Sequence, residues 1–170
     1  MRMNFVADVM LARLARWLRM LGVRVSPPRS QSDDDIIRQC IGERAVLVTR
    51  DVALSVKSSS YCRCLLLRSS DLDGQVLEFC RAAGLDLSAI REDSVPSTSV
   101  CPECSGRLKK TPKKSLEGKV PRKSWLHAAE FLVCGSCGKA YWRGSHNAKI
   151  LAGLRRMKRR FRRAGTLSPA

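Results

Sequence analysis

The sequence lacks a run of about 18 apolar residues, the length that a helix needs to cross a membrane. We therefore expect no membrane span. The N-terminal segment is basic and apolar like a secretory signal, but Asp8 and regularly spaced arginines interrupt the apolar run that such a signal requires. The sequence thus predicts an intracellular, cytoplasmic protein, or a nuclear one in a eukaryotic cell, with a folded N-terminus.

Acidic residues are scarce in the C-terminal half of the chain. Residues 1–93 carry 14 Lys and Arg against 12 Asp and Glu, whereas residues 94–170 carry 18 against 3. A surface this positive repels itself unless a polyanion neutralises it. Nucleic acid is therefore the favoured partner, ahead of an anionic membrane and of charge that serves solubility alone.

The eight cysteines lack the pattern of a disulfide-rich secreted protein. Four of them form two CxxC pairs, Cys101–Cys104 and Cys134–Cys137, separated by 29 residues. Four thiolates in two knuckles satisfy tetrahedral Zn²⁺, and no fifth ligand is evident, which predicts a closed structural site. An iron centre and a redox dithiol are the alternatives. The cysteines assigned instead to the core or surface are Cys40, Cys62, Cys64 and Cys80.

Strand and helix patterns alternate in the first part of the chain. Short apolar runs predict strands at Asn4 to Ala7, Val23 to Val25, Ala45 to Thr49 and Cys64 to Leu67. Apolar periodicity predicts helices from Met10 to Leu21, from Ser32, as a hydroxyl cap, to Ile41, and from Gln75 to Ala83. This alternation predicts a doubly wound α/β domain with a parallel sheet over residues 1–91.

Beyond residue 91 the composition changes. Residues 92–100 have linker composition, residues 101–147 contain the cysteine pairs and predict a zinc ribbon, and residues 148–170 form a basic tail. Apolar residues in that tail recur at helical spacing, which predicts an amphipathic helix. Its narrow apolar stripe can pack on the protein; membrane binding and a localisation signal are the alternatives.

Acidic residues follow the predicted strands or begin the next helix. The carboxyl ends of parallel strands meet at one edge of an open sheet, where ligands bind. Gathered carboxylates repel one another unless a divalent cation joins them, and Mg²⁺ or Mn²⁺ held in this way can orient a water for attack on a phosphate. Alternatively, the Asp33 to Asp35 group and Asp51 only cap helices. The full set is Asp8, Asp33, Asp34, Asp35, Asp51, Asp71 and Asp73.

Basic and aromatic residues are candidates for RNA contacts. Residues 107–123 carry eight basic residues and one acid, which indicates either a phosphate-tracking loop or a solvated charged segment. Tyr141 and Trp142 can stack on bases or pack the ribbon core. His146 can contact RNA, assist proton transfer or stabilise the ribbon. The residues assigned to substrate binding on these grounds are Arg13, Lys113, Lys114, Trp142, Arg143 and His146.

Several segments together resemble a known family. The motifs FVADVMLARLARWLRMLG, SDDDII, VLVTRD, CPEC and FLVCGSCGKAYWRGSH occur in the order found in the Mut-seven carboxy-terminal RNase family, over residues 4–146. The resemblance implies a PIN-like nuclease domain that cleaves RNA with Mg²⁺ or Mn²⁺ and is fused to a zinc ribbon.

The resemblance also implies roles for single residues. Asp8 matches the acid after the first strand, Asp33 or Asp34 the acid that opens the second helix, and Asp51 the acid of the TRD motif. Two departures, Ala12 for a common glycine and Asn147 for an aromatic, concern packing or RNA contacts rather than the acids. The remaining implied site residues are Asp71 or Asp73 as a fourth acid, and Thr49 and Arg50 as phosphate-positioning residues.

The favoured hypothesis is a metal-dependent endoribonuclease that acts in RNA processing or decay. The second hypothesis is a non-catalytic adaptor that uses the ribbon to bind RNA or a ribonucleoprotein such as the ribosome. The third is a DNA-directed nuclease.

Overall fold

Four parallel strands form the first sheet of the structure, a computed structural model that describes residues 3–96, 99–144 and 146–165, without the side chains of residues 146, 164 and 165. The strands are β1 (Asn4–Ala7), β2 (Val25–Ser26), β3 (Ala45–Thr49) and β4 (Cys64–Leu66). They lie in the order β2-β1-β3-β4, with all pairings parallel. The predicted parallel sheet is confirmed, and its second strand begins two residues later than predicted.

Helices cover both faces of this sheet. Adjacent residues of a strand point to opposite faces, so Phe5 packs into one core and Val6 into the other. The helices on the Phe5 face are α1 (Ala12–Met20), α4 (Leu72–Ala82) and α6 (His146–Gly165). Those on the Val6 face are α2 (Asp33–Glu43) and α3 (Val52–Ser58). The predicted α/β arrangement is therefore confirmed.

Local signals set most of the helix ends. A 3₁₀ turn, Val9–Leu11, precedes α1, and Gly22 follows the helix with a φ of 88°, as the C-terminal glycine predicts. Ser32 occupies the N-cap of α2, but its hydroxyl makes no capping hydrogen bond, so the predicted hydroxyl cap is wrong. The three aspartates of the first turn complement the positive helix end instead.

The second sheet has three antiparallel strands. These are β5 (Leu108–Thr111), β6 (Phe131–Cys134) and β7 (Ala140–Trp142), in that order. Between β5 and β6 the chain forms a 3₁₀ turn, Lys113–Leu116, and the short helix α5 (Arg122–His127). Leu116 and Phe131 pack there against Trp142. We call residues 101–142 the ribbon unit.

Helix α6 packs on the α/β domain. Leu154 and Met157 are fully buried in the core that contains Phe79 and Leu87. At Gly153 the helix approaches Trp17 so closely that a Cβ would lie 2.9 Å from the indole ring. Of the three alternatives for the basic tail, packing on the protein is thus the one that the structure shows. The domain boundaries at residues 91, 100 and 147 stay predictions.

Candidate functional site

Two acidic residues of the predicted set stand at the carboxyl ends of adjacent strands. Asp8 directly follows β1, and Asp51 follows β3 by two residues. The buried Thr49 hydroxyl donates to Oδ2 of Asp8 over 2.8 Å and accepts a hydrogen bond from the backbone nitrogen of Asp51 over 2.9 Å. One oxygen therefore joins both acidic positions at the same edge of the sheet.

The strand order places this pair where parallel sheets bind ligands. Strand β2 lies on one side of β1, whereas β3 and β4 lie on the other side. In this order, the crevice beyond the carboxyl ends of β1 and β3 is the topological switch point of the sheet. Asp8 and Asp51 flank that crevice.

The carboxylate of Asp51 also caps a helix. Its Oδ1 accepts a hydrogen bond of 3.1 Å from the backbone nitrogen of Leu54, with Asp51 at the N-cap of α3. The helix-cap alternative is therefore correct for Asp51 as far as one of its two carboxylate oxygens, Oδ1, is concerned. Asp51 is exposed, and a carboxylate has a second oxygen that can still bind a cation.

The three aspartates that open α2 differ in their partners. Oδ1 of Asp34 lies 2.8 Å from Nζ of Lys57 in α3, and Asp35 pairs with Arg38 on its own helix. The hydrogen bond to Asp34 and the charge of nearby Asp33 raise the pKa of Lys57. Asp33 is exposed and has no ion pair within residues 3–96, 99–144 and 146–165. Its carboxylate is therefore the one of the three that is open to a cation.

The two candidates for a fourth acid have arginine partners from α6. Both carboxylate oxygens of Asp73 accept from Arg156, over 2.5 and 2.8 Å, and Oδ1 of Asp71 lies 3.0 Å from Arg160. The Arg156 guanidinium holds the pKa of Asp73 below its usual range. Asp71 also accepts from the backbone nitrogen of Gly74 at the start of α4. Arginine side chains of α6 thus offset the charge of both acids in this structure.

Asp8 faces a cavity with a basic wall. The cavity has a volume of 310 Å³, and Arg13, Arg16 and Arg19 contribute to its lining. Three guanidinium groups outnumber the carboxylates of Asp8 and Glu103 in this lining, and the net positive charge favours a phosphate as the ligand of the cavity. The structure thus brings the predicted Arg13 to the predicted Asp8, and it adds Arg16 and Arg19.

The four cysteines of the CxxC pairs come together at one end of the ribbon unit. Their sulfur atoms all lie within 4.8 Å of one another, and no other group of three or more potential metal ligands in the described residues is as compact. Two sulfur pairs, Cys101 with Cys137 and Cys104 with Cys134, are 3.7 and 3.5 Å apart. Tetrahedral zinc with Zn–S bonds of about 2.3 Å separates its sulfurs by about 3.8 Å. The cluster therefore has the size to hold a metal ion such as zinc.

The backbone around the sulfurs supports this geometry. A Cβ at Gly106 would lie 2.9 Å from the Cys134 sulfur, so only glycine lets the first knuckle approach the second so closely. Burial raises the pKa of Cys104 to about 12. At Cys134 burial acts in the same direction, but backbone N–H groups of Cys137 and Ser136 outweigh it and lower the pKa to about 6.

A buried arginine ties the first knuckle to the α/β domain. Nη1 of Arg19 donates to the carbonyl oxygens of Pro102 and Glu103 over 3.1 and 2.8 Å, and Nε donates to the carbonyl of Val25 over 2.6 Å. Burial lowers the pKa of the Arg19 guanidinium. The hydroxyl of Ser105 accepts from the backbone nitrogen of Val25, 3.1 Å away. The cysteine cluster and the carboxyl-edge cavity thus share one side chain.

One family model covers both the acidic edge and the cysteine cluster. The model of the Mut7-C RNAse domain matches residues 3–154, nearly the whole chain. The chain belongs to the Mut7-C RNAse domain family. Membership indicates a ribonuclease-type function with RNA as the substrate, as the sequence motifs imply. Comparison with curated proteins finds no match, and comparison with solved structures finds none.

The match also reaches into α6, beyond the motif FLVCGSCGKAYWRGSH, which ends at residue 146. In the described part of this Mut7-C chain, no helix combines the length and the apolar character that crossing a membrane requires.

The other residues predicted to bind RNA in this Mut7-C chain fall into two groups. Arg50, Lys114 and Arg143 are exposed. Lys113 instead lies over the ring of Trp125, 5.1 Å from its centroid, and donates to the carbonyl of Leu126, so its side chain supports the ribbon unit. The side chain of His146 lies outside the described residues.

Sequence reasoning did not assign a role to Arg16, Arg19 or Glu103. Glu103 pairs with Arg16 at 3.1 Å and with Lys139 at 3.5 Å, and it sits inside the first cysteine pair. The signal was present in α1 as arginines at every third position, which place several cations on one side of the helix. Which of them is buried depends on the docking of the ribbon unit, a long-range contact.

Proposed function

We propose that this Mut7-C chain is an endoribonuclease of PIN-like fold that uses Mg²⁺ or Mn²⁺ to hydrolyse RNA phosphodiester bonds. The observation that supports this best is the Thr49 hydroxyl, which links Asp8 to Asp51 at the switch point of the sheet. The proposed setting is RNA processing or decay in the cytoplasm, with RNA either free or in a ribonucleoprotein such as the ribosome.

Asp8, Asp33 and Asp51 would hold the catalytic cation. Their carboxylate oxygens suit Mg²⁺ and Mn²⁺, and those of Asp33 and Asp51 are exposed. A cation bound there would activate a water and offset charge on the phosphoryl oxygens. The Thr49 hydroxyl fixes the position of the Asp8 carboxylate. Asp34 instead forms an ion pair with Lys57.

Basic residues on the same edge would bind the phosphates of the substrate. Arg13 lines the Asp8 cavity, and exposed Arg50 stands between Thr49 and Asp51 in the chain. Guanidinium groups bind phosphate oxygens in bidentate fashion, which orients the backbone for in-line attack. Lys114, Trp142, Arg143 and His146 are proposed to extend RNA contact along the ribbon unit. Asp71 and Asp73, held by Arg160 and Arg156, are proposed to support the site by anchoring α6.

Zinc in the four-cysteine cluster is proposed to be structural. Its four thiolate ligands would leave no position for water, which is the arrangement of closed zinc sites. The metal would hold the two knuckles together, and Arg19 would transmit this order to the acidic edge.

The experiment is a cleavage assay on labelled single-stranded RNA with added Mn²⁺. We expect Asp8→Asn and Asp51→Asn to lose cleavage by at least about 100-fold while keeping RNA affinity, because each removes a charge on the ion and not on the basic surface. Sequencing the ends of the products locates the cut, and an equivalent DNA strand tests the DNA-directed alternative. Equal cleavage by wild type and both variants would refute the proposal.

A non-catalytic RNA-binding adaptor is the second candidate function. It is favoured by the spacing of the acids, because no three carboxylates in the described part of the chain approach each other as the cysteine sulfurs do. The same assay decides between the two. RNA binding by a wild-type protein that shows no Mn²⁺-dependent cleavage supports the adaptor.

A further inference from the structure

A cavity in the described part of the chain lies between α1, the ribbon unit and α6. It measures 620 Å³, within the size range of small-molecule sites. Met20 of α1, Leu132 of β6 and Ile150 of α6 contribute apolar walls. We call this cavity the interdomain cleft. Clefts between domains are preferred places for ligands, because two surfaces can enclose one molecule there.

Two aromatic side chains of the interdomain cleft, Tyr141 and Trp142, are positioned by contacts within the ribbon unit. The Tyr141 hydroxyl lies 3.1 Å from the sulfur of Cys101, and the Trp142 ring packs on Phe131 with centroids 5.8 Å apart. Both residues still line the cleft and remain half-buried. Tyr141 and Trp142 therefore pack against the ribbon unit on one side and can contact a ligand in the cleft on the other.

Cations stand at the rim of this apolar space. Arg16 and Arg143 line the cleft, and both are exposed. The Arg143 guanidinium donates to the carbonyl of Asp93, which leaves its other N–H groups free for a ligand. A planar apolar moiety with an anionic attachment matches this combination of rings, apolar walls and guanidinium groups.

An adjoining cavity of 440 Å³ is lined by a residue whose hydrogen-bond acceptor has no partner. It shares Arg16, Tyr141 and Ile150 with the interdomain cleft and adds Asn147. Oδ1 of Asn147 is buried and has no hydrogen-bond partner among the described residues. Buried polar atoms usually have partners, so an amino or imino N–H of a ligand would satisfy this oxygen.

The interdomain cleft adjoins the cavity at the acidic edge. Arg16 and Pro102 line both this cleft and the cavity that contains Asp8. The 3₁₀ turn and first turn of α1 that separate Asp8 from Arg16 rise by about 12 Å. Stacked nucleotides advance by about 3.4 Å each, so a strand bound at Asp8 reaches the cleft within about four nucleotides.

We propose that the interdomain cleft binds one unpaired base of the RNA, within about four nucleotides of the bond cut at Asp8. The proposal deepens the proposed nuclease function and rests on it for the substrate. The phosphate beside that base lies on Arg16, the base stacks against the Tyr141 and Trp142 side, and its amino or imino group faces Asn147. Single-stranded RNA is then preferred over duplex, because a paired base cannot enter.

Binding is measured first, so that the outcome does not depend on cleavage. The Asp8→Asn variant is titrated with labelled single-stranded RNAs of one sequence, each with an abasic site at a different position. Loss of the stacked base should lower affinity about 10-fold at one position and little elsewhere. A flat profile across all positions would overturn the proposal.

A cleft-filling variant links the effect to this cavity. Ala129 is exposed and lines the interdomain cleft, so Ala129→Trp places an indole in it, and Ala129→Ser is the matched control. In the Asp8→Asn background, Ala129→Trp should erase the single sensitive position, whereas Ala129→Ser should keep it. An unchanged profile in an Ala129→Trp protein that keeps its thermal midpoint would place the base elsewhere.

Cleavage then separates this proposal from the proposed function. Mn²⁺-dependent cleavage with a flat abasic profile would keep the nuclease and reject the base pocket. Absent cleavage with a single sensitive position would keep the pocket and reject the nuclease. If Ala129→Trp instead dissociates a dimer in sedimentation, a second copy of this chain occupies the cleft and the proposal fails.

Discussion

At the residue scale, the buried hydroxyl of Thr49 connects the acidic residues that follow β1 and β3. It donates to Asp8 and accepts from the backbone of Asp51, so its removal leaves two polar groups without a partner. Thr49→Val keeps the shape of the side chain and removes only the hydroxyl. We expect a loss of about 1–3 kcal/mol in the free energy of unfolding, together with a fall of about 10-fold or more in kcat.

Urea unfolding and RNA cleavage measure the two effects of Thr49→Val. Thr49→Ser is the control, because it restores the hydroxyl at the cost of one methyl group. If Thr49→Val cleaves RNA as fast as Thr49→Ser, the hydroxyl that connects Asp8 and Asp51 is not needed for cleavage.

Asp73 gives a pH dependence with a defined sign. Arg156 lowers its pKa in the folded state, so Asp73 contributes stability that is present above the unfolded pKa of about 3.9. That contribution is lost as the pH falls through the lower, folded pKa. We expect Asp73→Asn to cost about 1–2 kcal/mol near neutral pH, since Arg156 is half-exposed.

The thermal midpoint between pH 3 and pH 6 tests this assignment. The variant should lose less stability than wild type on acidification, and Glu117→Gln, at an exposed carboxylate, serves as the control. Parallel pH curves for wild type and Asp73→Asn would show that the pair does not stabilise the fold.

At the element scale, α6 is part of the α/β core rather than an appendage. Leu154 and Met157 are each 0% exposed. Leu154→Ala should therefore lower the free energy of unfolding by about 2–5 kcal/mol, because it leaves a cavity in a packed core. Leu126→Ala, at a site that is 53% exposed, should change it by less than about 0.5 kcal/mol. Denaturant titrations of both variants decide whether α6 stabilises the domain.

The success of the sequence patterns also differs by element. Strands β1 and β3 are observed with their predicted limits, because short apolar runs ending at a charged residue are a local signal. The limits of helix α3 escape prediction, although the helix-cap alternative for Asp51 implied a helix there, since seven residues with only Leu54 and Ser58 buried show no apolar period.

Contacts between distant segments escape prediction for a different reason. The partners of Arg19 in the ribbon unit and the Arg156 partner of Asp73 are 83 residues away or more, and no local pattern encodes them. The acids were predicted at one edge because strand ends are local signals, whereas the arginines that neutralise Asp71 and Asp73 became visible only with the placement of α6.

At the scale of the whole molecule, Arg19 connects the four-cysteine cluster to the cavity at the acidic edge. Cys104→Ser should abolish zinc binding, measured as one zinc per chain in wild type and none in the variant. Because the first knuckle accepts two hydrogen bonds from Arg19, the α/β domain should also lose stability, by about 2–4 °C in thermal midpoint for each kcal/mol lost. Cys62→Ser is the matched control, which should keep its zinc.

The uneven charge predicts how RNA affinity depends on salt. For single strands the slope of log K against log salt changes by about 0.7 for each phosphate that a basic side chain neutralises. Lys114 and Lys149 are exposed on the ribbon unit and on α6, so Lys114→Gln and Lys149→Gln should each flatten the slope by about that amount.

Arg24 is exposed beside the amino end of β2, at the opposite edge of the sheet from Asp8. Arg24→Gln removes the same charge there and should leave the slope unchanged; equal flattening by all three variants would mean that net charge, rather than a defined surface, attracts the RNA.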